Sequence, residues 1–192
     1  MQLLGELRPD RPLLVVAVRE EAAYLGDGLP VLLTGMGKVN AALAVGSALA
    51  GPVRPASVVN LGTAGALRDG LSGTFEVSRV LQHDLDDRVL QLLTGEVFGP
   101  PLTLGQHGGP VLATGDLFVS EEAARARLAA QADLVDMEGY AVAAGALRAG
   151  LPVRLVKHVS DTAGEGAGRT WRESVDDCAK LLAAWVDEHL LG

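Results

Sequence analysis

Residues 13–18 read Leu-Leu-Val-Val-Ala-Val, six apolar positions without a polar interruption. A strand with one wet face alternates polar and apolar side chains, so an unbroken apolar run belongs to a strand covered on both faces, as in parallel sheets layered with helices. Residues 31–33, 58–61 and 153–159 repeat the type. Between them the Ala-rich stretches 39–50, 121–130 and 139–149 read as helices, and Ser120, followed by two acidic residues, is the expected N-cap of the second. A last helix is marked by Thr170-Trp171-Arg172-Glu173, which has capping-box spacing, with Val175, Leu181, Leu182 and Val186 behind it. Strands alternating with helices predict an α/β fold: one domain over residues 1–192, three layers, with a twisted, mostly parallel but mixed central sheet flanked by helices.

Composition agrees. The chain has 192 residues, 48% of them hydrophobic, and a mean hydropathy of +0.26, values that exclude a disordered chain. Only 4% of the residues are aromatic, so the core must be built from Ala, Val and Leu. With 24 acidic against 16 basic residues the net charge is −8. Nucleic acid and anionic membranes require a basic face, so neither is an expected partner, and a small molecule is. Cys178 is the single cysteine, which excludes an internal disulfide framework and a cysteine-based zinc cluster. The first ten residues carry Glu6, Arg8 and Asp10 without a signal-like apolar core, and no apolar run is long enough to span a bilayer. The expectation is a soluble, cytoplasmic protein.

Several short motifs carry chemistry or shape. Gly35-Met36-Gly37-Lys38-Val39-Asn40 stands between a strand and a helix, but Asn40 occupies the third-glycine place of a dinucleotide fingerprint, and Val39 stands where a P-loop needs Ser or Thr. It reads as a tight turn. Gly62-Thr63-Ala64-Gly65 follows the strand expected over 57–61, at the carboxyl end where open α/β sheets bind ligands; its small residues suit either a plain turn or a close approach to a ligand. Glu21, Glu138 and Asp161 fall at strand ends or helix starts, where an α/β sheet gathers its loops. The histidines His83, His107, His158 and His189 lack metal-ligand spacing, so no metal is expected, and His158 reads as structural. His83-Asp84-Leu85-Asp86 reads as a solvated turn. Residues 94–110, with five glycines and three prolines, read as a long surface loop.

Taken in order, VAVREEA (16–22), TGMGKVNAA (34–42), VVNLGTAGAL (58–67), HDLD (83–86), ATGDLFV (113–119), VDMEGYAVA (135–143) and VKHVSDTA (156–163) resemble the nucleoside phosphorylase and nucleosidase superfamily, and within it the 5′-methylthioadenosine/S-adenosylhomocysteine nucleosidase branch. The resemblance implies a nucleoside phosphorylase/hydrolase-like fold, a purine nucleoside as substrate, no cofactor and a homodimer. It implies that Asp161 meets purine N7 with Ser160 beside it, that Glu138 grips the ribose hydroxyls with Met137 against the sugar, and that Glu21 orients the attacking water. By the same resemblance Thr63 and Gly65 lie near water and ribose, Phe118 and Val119 meet the base, and Lys157 stands where an arginine is usual. Such a set suits glycosidic cleavage, in which carboxylates stabilise an oxocarbenium-like sugar while an acid neutralises the departing base.

Asn60 stands where phosphorylases of the superfamily carry arginine, which favours water over phosphate as nucleophile, with Lys157 and Arg19 the cations that phosphate would need. Two segments, 22–34 and the one between HDLD and ATGDLFV, are shorter than the family pattern, so the 5′ substituent stays open. A purine nucleoside phosphorylase, a futalosine hydrolase-like enzyme and a non-catalytic nucleoside-binding protein are the alternatives.

Overall fold

Alternation within the opening apolar run builds the layers. The computed structural model describes residues 1–105 and 108–192; His107 and part of the glycine-rich stretch expected as a loop lie outside the described residues. The strands are β1 (Gln2–Leu4), β2 (Pro12–Val16), β3 (Val31–Leu33), β4 (Ser57–Ala66), β5 (Thr74–Glu76), β6 (Arg79–Gln82), β7 (Leu102–Thr103), β8 (Val111–Thr114), β9 (Leu134–Asp136) and β10 (Val153–Asp161). The helices are α1 (Lys38–Leu49), α2 (Asp87–Thr94), α3 (Glu122–Ala129), α4 (Gly139–Arg148) and α5 (Ala167–Val186). On β2, Leu13 and Val15 pack with Ala41 and Val45 of α1 and Val142 of α4. Leu14 and Val16 pack on the opposite face with Leu182 and Val186 of α5. A period of two thus sends successive residues into two different cores, which is why the run has no polar position.

The ten strands of the described residues belong to one mixed sheet. Strands β2, β3, β4 and β10 are parallel to their neighbours in one set, and β6, β8 and β9 in another. Antiparallel pairing brings β1, β5 and β7 to the edges. The two sets meet where the end of β4 runs against β9, with Gly65 opposite Val135 and Ala66 opposite Leu134. Because they meet head-on, the carboxyl ends of both sets converge.

Four local expectations are corrected. Residues 62–65 are not a turn after the strand but its continuation, since β4 extends to Ala66 along β10. Ser120 does not cap α3, which starts after Glu121 with no side-chain cap. Thr170 does not open the last helix: α5 begins a turn earlier, after Gly166, and the Thr170 hydroxyl donates back to the Gly166 carbonyl. The loop expected over 94–110 contains β7, paired with β6. In the HDLD turn, Asp86 caps α2 by accepting from the Val89 amide, and Asp84 pairs with Lys38.

Candidate active site

A cavity of about 310 Å³ opens where the two sets of strand ends converge. Glu21 enters it from the turn after β2, Thr63 and Gly65 from within β4, Phe118 and Val119 from the loop after β8, Met137 and Glu138 from the end of β9, and Ser160 and Asp161 from the end of β10. Of the residues expected at the site, only Lys157 is absent from this lining. The four cavity carboxylates, Glu21, Asp136, Glu138 and Asp161, are all buried.

Each is held differently. Glu21 Oε1 accepts from the Thr63 amide and from the Thr63 hydroxyl, both at 2.7 Å, while its Oε2 is buried with no partner. The Thr63 hydroxyl also accepts from Trp171 Nε1 at 2.9 Å. Glu138, at the N-terminus of α4, leaves its own helix uncapped and instead accepts from the Gly37 amide at 2.7 Å. Gly37 supplies that amide from a φ of +93°, a conformation L side chains avoid, so Gly35-Met36-Gly37 form the tight turn from β3 into α1 and the turn also anchors a carboxylate. Asp161 is turned into the cavity by a register shift between Val159 and Asp161 in the β10·β4 ladder. Its Oδ2 accepts from Ser160 Oγ and its Oδ1 from the Ala163 amide, each at 2.8 Å. Ala163 takes a φ of +50° to present that amide. Gly65 has no room for a side chain: a Cβ there would stand 2.9 Å from that of Ala163 and 3.0 Å from Asp161 Oδ1.

Lys157, expected among the binding residues, stands behind the lining as a buried counter-ion. Its ammonium contacts Asp136 Oδ2 at 2.9 Å, with both side chains 1% exposed. Burial pulls the ammonium toward its neutral form, but the charges of Asp136, Glu138 and Glu21 outweigh this and leave its pKa above the usual lysine value. Asp136 also accepts from Thr114 Oγ1 at 2.5 Å and from the Gly139 amide at 2.8 Å. Glu138 lacks a direct cation; burial, and then the neighbouring negative charge of Asp136, push its pKa up to about 8. His158 is structural, sharing a 2.7 Å hydrogen bond with Thr74 that ties β5 to β10.

Asp136, Trp171 and Arg172 were not among the expected site residues. Asp136 had a signal, since it is a carboxylate at the carboxyl end of an apolar strand, two residues before Glu138. Trp171 and Arg172 were hidden in a helix-start pattern. The profile of the phosphorylase superfamily matches residues 81–190 of the chain, the half that supplies Phe118, Glu138, Asp161 and Trp171.

The chain belongs to the phosphorylase superfamily. A 5′-methylthioadenosine/S-adenosylhomocysteine nucleosidase of Marinomonas sp. is 29% identical to it, over 88% of this chain and 83% of that protein. In fold the chain is similar to the 5′-methylthioadenosine/S-adenosylhomocysteine nucleosidase of Helicobacter pylori, with a TM-score of 0.80 at 22% identity over 95% of this chain and 98% of that one. It is also similar to the futalosine hydrolase of Helicobacter pylori, with a TM-score of 0.78 at 20% identity over 93% and 96%. This superfamily member therefore shares one α/β architecture with enzymes of two different nucleoside substrates.

Proposed function

We propose that the chain hydrolyses the N-glycosidic bond of a purine nucleoside, of the 5′-methylthioadenosine/S-adenosylhomocysteine type, to free base and free sugar. The observation that carries this reading is the convergence of Glu21, Glu138 and Asp161 in one cavity, with Glu21 Oε2 unpartnered. Water attacks the anomeric carbon as the bond to the purine nitrogen breaks, and its proton passes to Glu21 Oε2. Glu138 accepts from the ribose hydroxyls and meets the positive charge that develops on the sugar. Asp161, steadied by Ser160 and Ala163, brings a proton to the departing base. No metal or redox cofactor enters these steps.

Water is favoured over phosphate by the placement of cations. Lys157 is committed to Asp136, and Arg19 lies at the surface against Gln2. Among the described residues of the cavity lining, Arg172 is the one base facing four carboxylates. A doubly charged phosphate would need more donors than that. Incubating the protein with a panel of purine nucleosides in phosphate-free buffer tests the reading: free base should form, and tight binding without base release would make the chain a nucleoside-binding protein instead.

We also read residues 1–192 as one domain, since all ten strands share a sheet, working in a reducing, cytoplasmic setting that suits the free, buried Cys178. A homodimer is proposed through the apolar groove between α1 and α4, where Val39 and Leu147 are exposed. Light scattering giving a monomer at micromolar concentration would remove that part.

A further inference from the structure

Trp171 reaches Thr63 across 108 positions of sequence, and its Nε1 lies 2.9 Å from the Thr63 hydroxyl oxygen. An indole N–H can only donate, so the hydroxyl must accept it. Threonine has a single hydroxyl hydrogen, and with the oxygen engaged by Trp171 that hydrogen points to Glu21 Oε1 at 2.7 Å. The Thr63 amide lands on the same oxygen at 2.7 Å. Oε1 is thereby occupied twice, and the buried Oε2 receives nothing from the described residues. A buried carboxylate oxygen without a donor is costly to maintain, and such an atom marks a place where a proton-bearing ligand belongs.

We propose that Trp171 is a positioning residue that, by fixing the direction of the Thr63 hydroxyl, determines which oxygen of Glu21 stays free for the attacking water. The proposal rests on the hydrolytic reading of the cavity and adds to it a chain from the body of α5 to the base. Without the indole N–H, the Thr63 hydroxyl is free to rotate, the two oxygens of Glu21 become less distinct, and the water is held in productive orientation for less of the time. The ring itself lines the cavity, so its packing must be separated from its N–H.

The test is a double-mutant cycle between Trp171→Phe and Thr63→Ala, read as kcat and KM for base release alongside thermal melts. Phe keeps an aromatic ring but removes both the donor and part of the bulk of the indole, so the Thr63→Ala background, in which the bulk still changes but the hydroxyl is absent, separates the two. The expected result is a fall in kcat of about five- to tenfold for Trp171→Phe, the scale of one hydrogen bond, with KM within about twofold and the melting temperature unchanged. In the Thr63→Ala background the same substitution should change kcat less than about twofold, because the hydroxyl it acts through is gone. Equal losses in both backgrounds, a loss confined to KM, or an unchanged kcat would overturn the proposal. Absence of base release from the wild type would instead overturn the hydrolytic reading, so the two failures are distinct.

Discussion

The Lys157 ammonium and the Asp136 carboxylate form a 2.9 Å ion pair beneath the cavity, each side chain 1% exposed. This pair lets four carboxylates crowd one site: Lys157 balances Asp136 directly and opposes the rise in the Glu138 pKa. Breaking a buried pair by removing one partner leaves an uncompensated charge, which costs far more than the pair itself contributes.

Lys157→Met should therefore destabilise the fold by about 3–5 kcal/mol and push the Glu138 pKa higher still. Denaturant unfolding reads the first effect and the pH profile of kcat/KM the second. A loss below about 1 kcal/mol, the range of an exposed pair, would show that the charge is not buried in solution.

Glu138 gives the protein a pH signature. Its pKa near 8 in the fold stands above the ordinary 4.5 of an exposed carboxyl, so the folded state holds the extra proton across that window. The stability contributed is fully present below about 4.5 and is lost as pH rises through about 8. The ligand-free protein should melt at lower temperature at pH 8.5 than at about pH 5, and Glu138→Gln should flatten the difference. Activity should run the other way: kcat/KM rises toward about pH 8 as the carboxylate proposed to receive the ribose hydroxyls ionises. Glu138→Gln, slower throughout, should lack that limb, whereas an identical limb in the variant would assign it to another group.

Asp161→Asn preserves the shape of the side chain while removing its ability to pass a proton. It should lower kcat by at least ~10², the scale of one general acid, with KM little changed. A variant keeping more than half of wild-type kcat would mean that another group meets the leaving base.

At Gly65 the contact distances make the prediction. Gly65→Ala drives a Cβ against Ala163, Asp161 Oδ1 and Val135, so stability should fall by about 1–3 kcal/mol and kcat should fall with it, as Asp161 is displaced. Gly26→Ala, where nothing lies within 4 Å, is the matched control and should change neither. Comparable thermal melts for the two variants would contradict the close approach of β4 to the bulge in β10.

What could be read from the sequence was set by local patterns. The apolar runs at β2, β3 and β10 and the Ala-rich helices α1 and α4 follow from the local pattern, which also places Glu21, Glu138 and Asp161 at strand ends or helix starts; their catalytic roles are implied by the family resemblance and not by that placement. Of the two readings open for residues 62–65, a plain turn and a close approach to a ligand, the cavity lining bears out the second; the strand's continuation is hidden because glycine and threonine weaken a strand pattern, and the long parallel partner β10 carries β4 on to Ala66. Strands β5 to β9 are short and meet partners far away in sequence, so no local period announces them. The counter-ion of Lys157 is illegible in sequence for a related reason: Asp136 reaches it from another strand.

Water held by Glu21 is the proposed nucleophile. Mass spectrometry of the products formed from an accepted purine nucleoside in millimolar phosphate tests it most directly. The account predicts free base and free sugar, at a rate that phosphate leaves unchanged or lowers; sugar 1-phosphate as the main product would contradict it.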